Sequence, residues 1–226
     1  MKSRWLIISI SLFLLGSATA TFEILFTNSI YSILPEVDKI KNFNQLGSIT
    51  FLSTNKKVIQ KIGPSTRRKL EDGEIPENIK IAFISAEDRR FYDHQGVDFI
   101  GIVRALITNF TQNEFKEGAS TITQQLARIV FLNQNKTLTR KLKEVALALK
   151  IERNFSKQEI LRNYLNNVYL GSSAYGVSDA AWAYFSKNPN QLKIDEAALI
   201  AGLSPAPSLY SPLVNPQLAI RRRNIV

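Results

Sequence analysis

The chain of 226 residues contains no cysteine and only one histidine. The lack of cysteine excludes disulfides and thiolate metal sites, and with a single histidine we expect no metal centre. Acidic side chains are also scarce, because 19 Asp and Glu residues stand against 29 Lys and Arg, a net charge of +10. This surplus favours an anionic partner, which composition alone leaves open as a nucleic acid, an acidic lipid or a phosphate-bearing substrate.

The N-terminus lacks charge over a long stretch. Lys2 and Arg4 precede residues 5–22, which contain no charged side chain. A basic flank followed by an apolar run favours a single transmembrane anchor within residues 1–30, with the rest of the chain outside the cytoplasm. The alternative is a cleaved signal peptide, since residues 18–20 read Ala-Thr-Ala, a small-x-small site. A soluble nucleic-acid binder is not expected to begin in this way.

Beyond the anchor, the pattern predicts a linker over residues 31–70 and a mainly α domain over residues 71–226. The linker contains a short β-hairpin, in which residues 49–52 and 58–59 flank a polar turn. In the domain, helices are predicted at residues 77–88, 99–110, 121–131, 137–153, 156–169, 177–185, 195–203 and from 216 onward, with a mobile loop at 111–117. Capping boxes are predicted to begin at Thr121 and Ser156. The helix at 137–153 is expected to bury the face of Leu138, Leu142, Val145, Ala146 and Leu149.

Glu87 is the first candidate for chemistry. It lies four residues after Phe83 and eight after Ile79, on the apolar face of its predicted helix. Partial burial should raise the pKa of Glu87 toward the range of a general base at neutral pH. The alternative is an ordinary carboxylate paired with Arg89, Arg90 or another base. The run that follows is dense in acid, base and aromatic side chains, and His94 within it is expected to position neighbours rather than to transfer protons.

Two further clusters suggest an anionic sugar substrate. Glu144 lies beside Arg140 and Lys141, a grouping that reads either as a surface ion pair or as a diphosphate site. Residues 118–125 place hydroxyls and amides at a helix N-terminus, more than capping requires. Two carboxylates acting at a sugar carbon recur among carbohydrate-active enzymes, although sequence does not give the distance between Glu87 and Glu144.

Five segments together resemble the motifs of the peptidoglycan glycosyltransferases, glycosyltransferase family 51, and they come in the order of that family. They are residues 87–96 (EDRRFYDHQG), 118–125 (GASTITQQ), 140–144 (RKLKE), 157–166 (KQEILRNYLN) and 197–212 (AALIAGLSPAPSLYSP). The resemblance covers roughly residues 70–226. It implies a lysozyme-like fold with a smaller membrane-associated jaw lobe. It also implies an enzyme of the bacterial plasma membrane, with a single span and an extracytoplasmic catalytic domain.

The same resemblance implies lipid II and a lipid-linked glycan chain as substrates, with membrane lipids and cell-wall synthesis proteins as partners and no nucleic acid. Glu87 corresponds to the general base and Glu144 to the residue that assists the diphosphate leaving group. The implied substrate-binding residues are Asp88, Phe91, His94, Ser120, Thr121, Gln124, Gln125, Arg128, Lys136, Arg140 and Lys141. Arg128 replaces the lysine that is frequent in the family. No cofactor is required, and stimulation by a divalent cation is compatible with the family.

Other classes stay open at this level. A glycan-cleaving enzyme shares the expected fold and an acid at a helix end, and a catalytically inactive scaffold would bind the same precursors. The sequence contains no Ser-x-x-Lys, Ser-x-Asn and Lys-Thr-Gly set of a penicillin-binding transpeptidase. Since the chain stops inside a predicted helix, we expect a piece of a longer bifunctional synthase, with a monofunctional transferase as the alternative.

Overall fold

The computed structural model describes residues 34–41, 43, 49–62, 69–71, 73, 75–112, 118, 120–132 and 137–226. The chain divides after Glu36, and everything below concerns the part from Val37 to Val226. The expected anchor at residues 1–30 lies outside the described residues, as do most of the expected loop at 111–117 and Lys136. Among the residues that are described, no helix is both long enough and apolar enough to cross a bilayer.

A two-stranded hairpin follows a short 3₁₀ helix at Val37–Ile40. Strands β1 (Ile49–Leu52) and β2 (Val58–Ile62) pair antiparallel, with Ile49 opposite Ile62 and an irregularity between Phe51 and Leu52. The turn closes through backbone hydrogen bonds between Ser53 and Lys57 and between Lys56 and Ser53. The predicted hairpin is confirmed.

The described part of the domain is mainly α-helical, as the sequence predicts. Its eight α-helices are α1 (Glu77–Glu87), α2 (Phe99–Gln112), α3 (Ile122–Phe131), α4 (Leu138–Asn154), α5 (Lys157–Asn167), α6 (Val177–Phe185), α7 (Ile194–Leu203) and α8 (Pro216–Arg223). A second 3₁₀ helix spans Pro189–Gln191. Seven of these helices lie within two residues of their predicted bounds, because Pro, Gly and capping side chains stop helices at positions that sequence reveals. The eighth, α8, ends at Arg223, three residues before its predicted end.

The N-caps confirm one predicted capping box and half of the other. Ser156 accepts a hydrogen bond from the Glu159 backbone, and the Glu159 carboxylate accepts one from the Ser156 backbone, so α5 begins with a complete box. Thr121 caps α3 by accepting from the Gln124 backbone. The Gln124 side chain does not complete that box, because its Oε1 atom accepts a hydrogen bond from Lys141 instead.

The core forms where α3 packs against both α4 and α5, and where α7 packs against α1 and α8. Its largest fully buried side chains include Phe83 of α1 and Tyr164 of α5, whose rings meet edge to face with centroids 6.2 Å apart. Burying aromatic and aliphatic side chains of this size contributes roughly 1.5–3 kcal/mol each. The helix that carries Glu87 is thus fixed against the centre of the domain.

The expected buried face of α4 is wrong. Leu138 and Leu142 are exposed, at 86% and 70% of their surface, whereas the buried side chains of α4 are Glu144, Leu147, Ala148 and Ile151. The helix therefore turns a different stripe toward α3, and that stripe carries a carboxylate. The spacing of apolar residues does not reveal this buried stripe, because one of its positions is occupied by a glutamate.

Candidate active site

Glu87, the first candidate for chemistry, is the last residue of α1. Its Oε2 atom accepts a hydrogen bond of 2.7 Å from the Gln125 side chain. Its Oε1 atom is buried and has no hydrogen-bond partner among the described residues. Burial raises the pKa of Glu87, while the Gln125 hydrogen bond, the charge of Arg222, the Ser204 hydroxyl and the charge of Arg128 act in the opposite direction. The predicted rise in this pKa is confirmed, and its cause is desolvation of the carboxylate.

Tyr164 fixes the amide that contacts Glu87. The Tyr164 hydroxyl donates to Gln125 Oε1 at 3.1 Å and lies 3.0 Å from the Ser204 hydroxyl. Burial raises the pKa of Tyr164 well above its usual value, so this hydroxyl keeps its proton. With its oxygen held by Tyr164, the Gln125 amide must turn its NH₂ group toward Glu87. The chain of contacts therefore orients a neutral donor on the carboxylate.

Asp88 and His94 join the loop after α1 to the start of α3. His94 Nε2 lies 3.0 Å from Asp88 Oδ1, and the Ile122 backbone N–H donates to Asp88 Oδ2 at 3.0 Å. The Gly96 backbone N–H donates to His94 Nδ1 at 3.1 Å. Since Nδ1 is an acceptor, the proton of the neutral ring resides on Nε2, which donates to Asp88. His94 is thus placed as a structural link beside Glu87.

Gly96 and Thr121 complete that link. The Thr121 hydroxyl donates to the Gly96 carbonyl at 2.7 Å while it also caps α3. Gly96 has a φ of +91°, and a Cβ atom there would lie 2.9 Å from the backbone carbonyl of Ala148. Only glycine combines this conformation with so close an approach to α4. The first and second motifs are consequently held together by backbone contacts as well as by side chains.

Phe91 lies beneath the same loop and is fully buried. Its ring packs edge to face on Tyr92 and His94, with centroid distances of 5.1 and 6.4 Å. Lys157 of the fourth motif places Nζ 4.5 Å from the Phe91 ring centroid and donates to the His94 carbonyl at 2.6 Å. Phe91 therefore shapes the loop from below, with no surface available for a substrate.

Glu144 is the centre of a second cluster. Only 1% of Glu144 is exposed, which excludes a surface ion pair. Lys141 Nζ lies 3.1 Å from Glu144 Oε2, while the nearest guanidinium nitrogens of Arg140 and Arg128 lie 3.4 and 4.0 Å from Oε1. Lys141 also donates to Ser120 at 2.8 Å and to Gln124 at 3.1 Å. One buried carboxylate thus gathers three cations from α3 and α4.

The two carboxylates are connected through consecutive residues of α3. Gln125 contacts Glu87, and Gln124 contacts the Lys141 that pairs with Glu144. The predicted residues of the first, second and third motifs are in this way brought to one region of the domain. Lys136 is the exception, since it lies outside the described residues.

A cavity of about 570 Å³ opens beside Glu87. Its wall is polar and carries three guanidinium groups, those of Arg89, Arg104 and Arg222. The remaining lining residues are Ser85, Ala86, Glu87, Asp88, Asp98, Gly101, Thr108, Gly118, Ser120, Thr121 and Ile225. Glu87 therefore faces a space large enough for a sugar unit, with both guanidinium and carboxylate groups in its wall. Among the described residues, no group of three or more His, Cys, Asp or Glu side chains is placed to hold a metal ion.

Sequence reasoning missed three side chains of this site: Tyr164, Ser204 and Arg222. Tyr164 and Ser204 lie within the fourth and fifth motifs but carry no charge that would single them out. Arg222 follows the buried Ala219 by three residues, so helical spacing does place it on the inner face of α8. That spacing was the available signal, and it was obscured because Arg222 stands between two other arginines.

Known proteins resemble this chain in sequence. The sequence model of the family described as Transglycosylase matches residues 55–226. Penicillin-binding protein 1A of Neisseria gonorrhoeae is 44% identical over 196 residues, which cover 87% of this chain and 25% of that protein. Penicillin-binding protein 1A of Aquifex aeolicus is 42% identical over 215 residues, which cover 94% of this chain and 30% of that protein. A crystal structure of Penicillin-Binding Protein 1A from Haemophilus influenzae aligns over 81% of this chain and 18% of its own, with 21% identity and a TM-score of 0.42.

The chain belongs to the transglycosylase family, and the resemblance inferred from its five motifs is confirmed. It spans 25 to 30% of the length of these two penicillin-binding proteins.

Proposed function

We propose that this chain is a peptidoglycan glycosyltransferase that polymerises lipid II into glycan strands with inversion at the anomeric carbon. One pairing supports this activity above all. A carboxylate with one buried, partnerless oxygen, Glu87, faces a cavity whose wall includes three guanidinium groups, and a separate cluster around Glu144 gathers three cations. An inverting transfer to a sugar hydroxyl needs a base at the acceptor and cations at a departing diphosphate.

Glu87 is the general base in this proposal. Its Oε1 atom takes the proton of the acceptor 4-hydroxyl as that oxygen forms a bond to the anomeric carbon of the donor. The bond from that carbon to the lipid diphosphate breaks, and the electron pair leaves with the diphosphate. Glu87 then returns its proton to solvent. Burial supports this role, because it raises the pKa of Glu87 toward the pH of the reaction.

Glu144 assists the leaving group through the cations it holds. A carboxylate cannot itself stabilise a departing anion, but Glu144 contacts Lys141, Arg140 and Arg128 at 3.1 to 4.0 Å. It therefore keeps three positive charges close together despite their repulsion. Arg140 and Lys141 are the residues that we propose to contact the diphosphate, with Lys136 assigned to the same role. Asp88 and His94 hold the loop that follows Glu87. Ser120, Thr121, Gln124 and Gln125 form or order the surface that faces the substrate.

An assay with purified protein, detergent and labelled lipid II tests the activity. We expect long polymer that lysozyme digests and that moenomycin, an inhibitor of this family, suppresses. Soluble muropeptides released from purified cell wall would instead indicate a glycan-cleaving enzyme. Lipid II binding without any product would indicate a precursor-binding scaffold, and the absence of binding would refute the proposed substrate.

We further propose that α2 lies against the outer face of the plasma membrane as part of a jaw lobe. Its exposed apolar side chains recur at helical spacing, in a stripe formed by Ile100, Val103, Ile107 and Phe110. Such a stripe on a surface helix is typical of a helix that rests in the membrane interface. A lipid-linked substrate would then reach the cavity, part of whose wall α2 provides, without leaving the bilayer.

Vesicle flotation tests this placement. In a chain that begins at Val37 and so lacks the expected anchor, the double substitution V103E and I107E should lower the membrane-bound fraction severalfold, because carboxylates do not enter the acyl region. The same charge added by Leu52→Glu and Ile59→Glu, at two exposed positions in the hairpin, should leave flotation unchanged. Equal loss in both variants, or none in either, would contradict the placement of α2.

A further inference from the structure

Arg222 is the inward-facing member of an arginine triplet. It lies on α8 three residues after Ala219, which is buried against the domain. Its neighbours turn elsewhere: Arg221 is exposed, and Arg223 donates through Nε and Nη2 to the Asn224 side chain at 3.0 and 2.8 Å. Three adjacent identical side chains thus have three different environments, and only that of Arg222 includes the cavity beside Glu87.

Contacts with two neighbouring residues, Gly202 and Tyr210, determine the direction of the Arg222 side chain. A Cβ atom on Gly202 would lie 3.1 Å from Arg222 Cγ, so glycine at this position of α7 leaves room for the side chain to pass. The guanidinium then lies over the ring of Tyr210, with Cζ 6.0 Å from the centroid. A neighbour that makes room and a ring that supports the guanidinium together direct Arg222 into the site.

At the end of this path Arg222 shares the cavity with a carboxylate. Its Nε atom is buried and has no hydrogen-bond partner within the described part of the chain. Glu87 Oε1 is buried without a partner as well, and both residues line the same space. Buried polar groups normally have hydrogen-bond partners. Two groups of opposite charge that both lack a partner in one cavity therefore indicate a site where a bound substrate supplies the missing hydrogen bonds.

Each helix packed around Glu87 presents a different group to it. From α3 come Gln125 and Arg128, from α5 comes Tyr164, and Ser204 follows α7. Arg222 is the contribution of α8, and its charge acts on the pKa of Glu87 more strongly than that of Arg128 does. Arg128 is moreover drawn toward Glu144, which leaves Arg222 as the cation committed to the base.

We propose that Arg222 is a positioning residue whose guanidinium holds Glu87 as the carboxylate, ready to accept the proton of the incoming hydroxyl. This inference rests on the proposed transferase activity. It adds a cation, supplied by α8, to a base whose hydrogen-bond donors, Gln125 and Ser204 of the second and fifth motifs, are neutral. Arg222 does not contact the reacting atoms in this role and acts through Glu87.

The test compares the pH dependence of polymerisation in three variants. Arg222→Gln should lose roughly tenfold in rate at the acid end of the profile and no more than about twofold at the alkaline end, because Glu87 then needs a higher pH to ionise. Arg222→Lys should restore most of the acid-side rate. Arg221→Gln, one residue away on the exposed face, should follow the wild type throughout. A uniform loss across pH in Arg222→Gln would overturn the proposal.

A second measurement separates this inference from the activity itself. With ¹³C-labelled glutamate carboxyl groups, NMR follows the titration of Glu87 in the full chain, and the signal missing from Glu87→Gln assigns it. The Glu87 midpoint should move to higher pH in Arg222→Gln and stay in place in Arg221→Gln. An unmoved midpoint refutes the inference even if lipid II is polymerised, and a moved midpoint supports it even if polymerisation fails.

Discussion

Glu87→Gln should reduce polymerisation of lipid II by at least about 100-fold, the lower range for loss of a general base. The amide preserves the shape of the side chain and can accept the hydrogen bond from Gln125, but it cannot take a proton from the acceptor. Initial rates with labelled lipid II measure the loss, and binding of lipid II should be retained. Glu77→Gln is the matched control at the other end of α1, where Glu77 forms a surface ion pair with Lys80.

Glu87→Gln should lower activity but raise the stability of the folded protein. Burial raises the pKa of Glu87 in the folded state above its unfolded value. The folded protein therefore favours the protonated form, and this favourable contribution is present below the unfolded pKa and is lost as pH rises through the folded pKa. Above the folded pKa the wild type carries the cost of a desolvated Glu87 carboxylate, whereas the Gln variant does not.

Thermal unfolding should accordingly give Glu87→Gln the higher Tm at pH 8, with the difference vanishing near pH 4. An inactive variant with a lower Tm at both pH values would indicate a misfolded protein rather than a lost base. Normal polymer synthesis by Glu87→Gln would contradict the assignment of Glu87.

Glu144→Gln should lower both activity and stability. The neutral amide no longer balances Lys141, Arg140 and Arg128, so the cations spread and the diphosphate loses a preformed positive site. Loss of one preorganised electrostatic contact of this kind reduces rate by roughly 100-fold or more. Breaking a buried ion pair costs about 3–5 kcal/mol, and the partial exposure of Lys141 reduces the expected loss of unfolding free energy to about 1–3 kcal/mol.

Urea denaturation and initial rates measure the two effects together. Glu77→Gln again serves as the control, with an expected change below about 0.5 kcal/mol because its pair is exposed. Adding Lys141→Gln to Glu144→Gln should recover part of the stability, since one uncompensated cation is removed, but not the activity. Full activity of Glu144→Gln would show that the cations need no carboxylate to hold them.

Much of the local structure could be predicted because it depends on local signals. Ser156 and Glu159 lie three residues apart before an apolar run, and this spacing alone defines the capping box that the structure contains. Likewise, Glu87 shares a face with Ile79 and Phe83 by helical periodicity, so its partial burial and raised pKa follow from the sequence.

What could not be predicted depends on packing between distant segments. Glu144 stands among four lysines and arginines, at positions 140, 141, 143 and 150, so local composition suggests a solvated surface. It is buried because α3 approaches that side of α4, and the direction of approach is a property of the whole fold. Arg222 enters the cavity for a similar reason, since its path requires Gly202, 20 residues earlier in the chain.

The adjacent amides of α3 have a consequence for how the site tolerates change. Side chains of consecutive helical residues diverge by about 100°, so Gln124 and Gln125 can serve two centres only while α3 keeps one rotation about its axis. Turning the helix to improve one contact necessarily worsens the other. The positions of Glu87 and of the cluster around Glu144 therefore both depend on the rotation of α3 about its axis. Substitutions that change how α3 packs against its neighbours should impair both functions in proportion.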